Sequence, residues 1–271
     1  EGAPVMTWLM DFLLVRGVNR FVPHAFDDKF PDKDCPPHFY AQGNDPQFPG
    51  FTLLMHYVNR VASLLDGTDM EASGAILYHG EAEWMDAEAM LTQKPAKVCY
   101  DAHISYDIAP LDYLETAEAK DGRFGRGYRY LVVPACKRLP ESFASVADRL
   151  RKAGVPIFFV DEVPEGVHAR LEELVPLEGL AARILKKNLA HDYRTQERLL
   201  RIAKFTRGGS MYFFLHNESL QEVRTTVTLP MRGKYIAADF LNDMYTRGET
   251  AQGEAAVVLL QQVAGVPRAD V

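Results

Sequence analysis

Apolar and polar positions along the chain change period twice. Residues 5–15 place Val5, Trp8, Leu9, Phe12 and Leu13 at helical spacing, and Met6, Met10 and Leu14 extend the apolar surface nearly all round. Such a pattern predicts a largely buried helix. Gly17 closes it, and Val18–Val22 (VNRFV) reads as a short strand running into Pro23-His24. Residues 23–50 carry prolines and aromatics without periodicity, a length that favours a functional loop over a linker. Residues 51–65 return to helical spacing, with Phe51, Leu54, Met55, Val58, Val61 and Leu65 on one side, and Asp66-Gly67 stops them.

From residue 74 the apolar runs become short and continuous. Gly74–His79 (GAILYH), Asp107–Ala109, Leu131–Val133 and Pro156–Asp161 (PIFFVD) lack the alternation of a half-exposed strand. An unbroken run suits a strand covered on both faces, as in a parallel sheet. Leu139–Ala153, amphipathic through Phe143, Val146 and Leu150, supplies the crossover helix between the last two, and a final helix is expected over Leu180–Lys187. This is a doubly wound α/β domain. After Leu199 the period changes again. Leu199–Phe205, Met211–His216, Val223–Leu229, Tyr235–Phe240 and Ala256–Gln261 read as strands between Gly-Gly, Asn-Glu-Ser, Arg-Gly and Asn-Asp turns, an antiparallel β domain of sandwich type.

Composition narrows the function. A net charge of −7 and a pI near 5.6 argue against nucleic acid as partner, since phosphate contacts need a basic face. No window approaches the ~18 apolar residues of a membrane span, and no basic-then-apolar leader opens the chain. Cys35, Cys99 and Cys136 are odd in number and unrelated in spacing, which fits a reducing compartment and a cytoplasmic protein. The chain opens Glu1-Gly2-Ala3-Pro4 and closes soon after a VVLLQ strand, so it reads as part of a longer protein.

Two clusters could carry chemistry. Asn19, Arg20 and His24 surround the end of the first expected strand, with His38 and Tyr40 further along the loop; polar groups interleaved with aromatics suit a sugar, and strand ends are where β/α folds place their sites. The competing account has Asn19 and His24 anchoring the loop. Glu81, Glu83 and Trp84, with His79, follow the first strand of the α/β domain, where open sheets bind ligands. Two carboxylates suggest acid–base work, but an adjacent pair from one loop rarely brackets a bond at the ~5–10 Å that glycosidases use, and a helix cap or solvated pair is the simpler account. Cys136 lacks the small neighbours of a nucleophile elbow. GRFGRG at 122–127 precedes a strand and is no phosphate loop, no His/carboxylate spacing suits a metal, and no cofactor is implied.

VNRFVPHAF, the loop phrase PPHFYAQG and a helix carrying YVNR resemble the end of a TIM barrel in bacterial glycoside hydrolases. AILYHGEAEW, opening the α/β domain, and MYFFLHNES in the β domain complete an order of parts similar to family 42 β-galactosidases and to family 2-like and rhamnosidase-like enzymes. The resemblance implies three segments: 1–66, the last strand, loop and helix of a barrel; 67–187, a flavodoxin-like (class I amidotransferase-like) domain; and 188–271, part of a β-sandwich. It implies a carbohydrate substrate and a homo-oligomer formed through the α/β domain. The acid/base and nucleophile glutamates of such enzymes lie on earlier barrel strands, so none is assigned here and the chain alone is expected to be inactive. The alternative is a non-catalytic sugar-binding or oligomerisation module.

Overall fold

In the computed structural model, residues 3–24, 29, 39–85, 88–190, 193, 195–219, 221–229, 232–251 and 257–262 are described. The chain forms two compact units, 1–71 with 193–271, and 72–192. In chain order the first unit begins with α1 (Ala3–Leu14), α2 (Phe48–Leu65) and β1 (Asp69–Met70). The second holds β2 (Gly74–Tyr78), α3 (Gly80–Trp84), α4 (Gln93–Asp101), β3 (Tyr106–Pro110), α5 (Leu111–Thr116), the hairpin β4 (Ala119–Lys120) and β5 (Arg123–Phe124), β6 (Leu131–Val133), α6 (Ser142–Lys152), β7 (Ile157–Val160), β8 (Leu174–Val175) and α7 (Leu180–Lys186). The first unit resumes with β9 (Leu200–Arg207), β10 (Ser210–Asn217), β11 (Arg232–Asp239), β12 (Met244–Ala251) and β13 (Val257–Gln262).

The 72–192 unit matches its pattern closely. Five strands in the order β3-β2-β6-β7-β8 are all parallel. Alternate residues of the apolar runs point to opposite faces. Ala75, Leu77, Leu131, Val133, Ile157 and Phe159 meet α5 and α6, whereas Ile76, Val132, Phe158 and Val160 meet α4 and α7. Both faces are therefore dry, which is why the runs show no alternation. Gly74 is needed at the head of β2: a Cβ there would fall 2.4 Å from the buried Tyr130 ring.

In the other unit the sheet order is β1-β9-β10-β13-β11-β12. The pairs β1–β9, β9–β10 and β11–β12 are antiparallel, while β13 runs parallel to both its neighbours. The layer facing this sheet is the helix pair, where a sandwich would have a second sheet: Leu14, Leu54, Tyr57, Val58, Val61 and Leu65 pack on Ala203, Phe205, Tyr212 and Phe214. On the opposite face Phe213 and Leu215 are covered by Tyr193, Val227 and Leu229.

Three expectations are corrected here. Val18–Val22 is irregular chain, not a barrel strand. Gly17, at φ 87°, turns the chain out of α1, Val22 is 95% exposed, and no ladder among the described residues includes the segment. Phe21 packs against the helix–sheet core but Val18 and Val22 stay exposed, too little burial to offset the entropy of ordering a lone strand. Val223–Leu229 forms no strand beyond a single bridge residue at Thr228, and β12 carries no apolar signal because MYTRGETA is mostly polar. Finally, α1 is not buried all round: Val5 and Leu9 face solvent, and its one acid, Asp11, is fully buried.

Candidate functional site

The end of β2 is the most unusual polar environment in the 72–192 unit. His79, the residue after the strand, is 2% exposed. Its Nδ1 lies 3.3 Å from Oγ1 of the buried Thr92, while Nε2 is buried with no hydrogen-bond partner. Burial lowers its proton affinity, opposed by the nearby carbonyls of Met90 and Leu77 and the carboxylates of Glu83 and Glu81. Those carbonyls favour a proton on the ring, yet neither meets hydrogen-bond geometry at Nε2. Two residues on, in the short helix α3, Glu81 Oε2 is also buried and unpartnered. Glu83 and Trp84 point outward, and the Trp84 indole is 81% exposed. Unpaired buried polar atoms of this kind call for a partner.

The neighbouring strand end, after β6, closes differently. Met90 N–H donates to Ala135 O (2.7 Å), Lys137 N–H donates to Glu88 O (3.1 Å), and Lys137 Nζ pairs with Glu88 at 2.9 Å. The 88–90 segment thus lies across Cys136, which is buried. Burial, with a smaller push from the Glu162 charge, raises its thiol to about 12. Cys99, buried under the other face, is also raised to about 12. Burial thus disfavours at both the thiolate that a nucleophile needs. Cys35 lies outside the described residues.

The first expected cluster falls in the other unit and is dispersed. Asn19 is half-buried, Arg20 is exposed and pairs with Asp66 at 3.1 Å, and His24 is exposed. Tyr40 is half-buried with its ring edge-on to Phe48 at 5.1 Å, beside Phe39 stacked on Phe51 at 4.5 Å. His38 lies outside the described residues. No strand end gathers these side chains, because the strand on which their convergence depended does not form.

Sequence reasoning passed over the charges buried in this unit. Tyr57 Oη donates to Asp11 Oδ1 at 2.5 Å. Burial holds the Asp11 carboxyl up at about 7, against the pull of the Tyr57 hydrogen bond and with help from the Asp239 charge. Glu218 receives Arg16 at 2.6 Å and Arg201 at 2.7 Å. Beside them His216 is buried, its ring edge-on to Trp8 at 5.6 Å, and both His216 Nε2 and Trp8 Nε1 are unpartnered. Burial holds His216 down at about 4; Glu218 opposes this, and Arg16 and Arg201 add to it. A lone acid in an otherwise apolar helix was the available signal for Asp11.

Among the described residues no group of three His, Cys, Asp or Glu could hold a metal ion, and no helix is long and apolar enough to cross a membrane. No protein-family model matches the chain, and no curated protein matches it.

Proposed function

We propose that the chain is an accessory portion of a glycoside hydrolase, in which residues 72–192 form a flavodoxin-like, amidotransferase-like domain without amidotransferase chemistry. One observation carries the reading: the parallel sheet counts 2-1-3-4-5 along the chain, the flavodoxin-like order, and its strand ends offer a buried, protonated thiol where a nucleophile would stand. The phrases shared with glycoside hydrolases supply the substrate class, carbohydrate. The catalytic carboxylates are contributed from outside these residues, since Glu81 and Glu83 project from one short helix and cannot flank a glycosidic bond. Free, buried cysteines accord with a cytoplasmic location. Self-association through the α/β unit is part of the same reading, and Ile108, half-exposed on edge strand β3, accords with it. Asn19, Arg20, His24 and Tyr40 are not needed for it.

The test is hydrolysis of a panel of nitrophenyl glycosides by this chain and by the product of the gene with its flanking coding sequence. Turnover is expected only from the longer product. Turnover by the 271-residue chain would place the carboxylates within it, and no turnover on any glycoside by the longer product would end the enzyme reading. Sedimentation of the chain should show a self-associating species weakened by Ile108→Lys.

A further inference from the structure

We infer that a cavity of about 200 Å³ at the N-terminal end of β7 binds a free α-amino acid, its carboxylate held by Arg170 and Lys187 and its ammonium by Glu172. The site lies wholly within the 72–192 unit, at the opposite end of the parallel sheet from His79. It draws nothing from the carbohydrate reading and is tested apart from it.

The cavity exists because β8 is short. β7 begins at Ile157, but its ladder with β8 starts only at Phe159 and Leu174. Before that point the chain entering β8 forms the 3-10 turn Leu171–Glu173, so no strand among the described residues stands beside Ile157 on that side. Glu173 pins the turn: it takes Arg151 through two hydrogen bonds (2.9 and 2.8 Å) and accepts from the Arg170 N–H at 2.9 Å. The side chains of Arg151 and Glu173 are only 10% and 8% exposed, and their charges cancel. They make one fixed, neutral wall. Leu131 N–H donates to Pro156 O and Asp161 N–H donates to Val175 O, so the alternation along β7 turns the Ile157 N–H and C=O into the gap.

With Arg151 engaged by Glu173, the charges that the cavity offers are Arg170, Lys187 and Glu172, all on exposed residues. Arg149, Arg151 and Lys152 close α6, and Arg183 and Lys186 close α7, where the helix dipoles favour cations. Arg170 has no such reason, since it stands before the 171–173 turn, at the end where a dipole favours an anion. Two cations and one carboxylate around one small space match a ligand that carries both signs. An α-amino acid does. The Ile157 C=O and the C-terminal end of α6, just before the lining residue Gly154, add acceptors for its ammonium. A phosphate offers nothing to Glu172 or to that helix end, and a neutral sugar leaves the cations unanswered. Sites for drug-sized ligands measure ~300–1,000 Å³, so a smaller cavity suits a molecule of amino-acid size.

Saturation-transfer NMR on the intact chain tests this with L-alanine and L-glutamate, and with L-lactate and L-alaninamide, which lack the ammonium and the carboxylate in turn. Transfer is expected to both amino acids, with each one-charge analogue binding about tenfold more weakly than L-alanine, the effect of losing one charge-assisted hydrogen bond. Arg170→Gln and Glu172→Gln should each weaken L-alanine binding by a similar factor. Urea denaturation of both variants should match the parent, because both residues are exposed. Silence from both amino acids, analogues that bind as well as L-alanine, or parental affinity in both variants would each overturn the site. The comparison of analogues is made on the parent chain and holds whether or not a variant folds.

Discussion

The two units solve the same problem with opposite materials. At the centre of the 72–192 sheet, Leu131, Val132 and Val133 are 0% exposed and pack into apolar clusters on both faces, while the unit's buried polar residues, Ser73, His79, Thr92 and Glu173, lie outside its strands. Next to the helix-covered sheet of the other unit, Asp11, Arg201, His216 and Asn217 are buried with side-chain chemistry to satisfy. A dry sheet centre is intolerant of any polar intruder and has no group of its own to titrate. A core with internal charges depends on each partner remaining in its protonation state. Different perturbations should therefore break the two units. The two tryptophans, Trp8 and Trp84, fall one in each, so Trp8→Phe and Trp84→Phe backgrounds report on them separately.

The largest expected effect is Val132→Asp. An unpaired carboxylate at this position costs several kcal/mol, against a typical total of ~5–15. The Trp84 signal should show an unfolded or molten 72–192 unit; a parental denaturation curve would show that the sheet centre is not dry. Next is Glu218→Ala, which removes a carboxylate shared by the buried Arg201 and by Arg16. Breaking a buried pair from one side costs ~3–5 kcal/mol. Here the loss should appear in the Trp8 signal; an unchanged midpoint would mean that water solvates the cluster.

A subtler prediction concerns pH, because two groups in this unit oppose each other. Asp11 binds its proton more tightly folded, at about 7 against the ordinary 3.8. Its contribution is complete below about pH 4 and is lost as pH rises through 7. His216 binds its proton less tightly folded, at about 4 against 6.5, so its contribution is absent at low pH and grows between those values. The parent should accordingly show a shallow dependence between pH 4 and 6.5. Asp11→Asn should leave stability rising with pH, and His216→Gln should leave it falling. Identical slopes in the two variants would refute the opposition. The smallest effect is Glu222→Ala, which removes an exposed, solvent-screened pair with Arg224 and should leave the unfolding midpoint unchanged within error.

The contrast also explains what could be read from the residues. GAILY, LVV and IFFV announce doubly covered strands because a run without alternation has few other homes, and α6 follows from Phe143, Val146 and Leu150. The two-residue β8 is too short to show any period, and β12 exposes most of its side chains, so neither carries an apolar signal. VNRFV is the reverse case, strand-like in local propensity but without neighbours to pair with. The pairing of the first helices with the last strands is long-range and leaves no local trace. At the β2 end, His79, Glu81 and Trp84 were visible as a cluster. Thr92, thirteen residues from His79 in sequence, was not, because only the fold brings its hydroxyl to the ring.

The pairing of β1 with β9 sets Met70 opposite Phe205 and Asp69 opposite Thr206. Everything between these partners is contiguous and includes the whole 72–192 unit. During synthesis that inner unit can fold as soon as it leaves the ribosome, whereas α1 and α2, made before it, lack the β9–β10 sheet until those strands emerge. At about 5–20 residues per second that interval is on the order of ten seconds, with α2 still without the strands it packs on. The helix pair, made before the inner unit, thus finds its sheet only after that unit is complete, which marks it as the stretch where a chaperone would be wanted and where a slow codon would do the most harm.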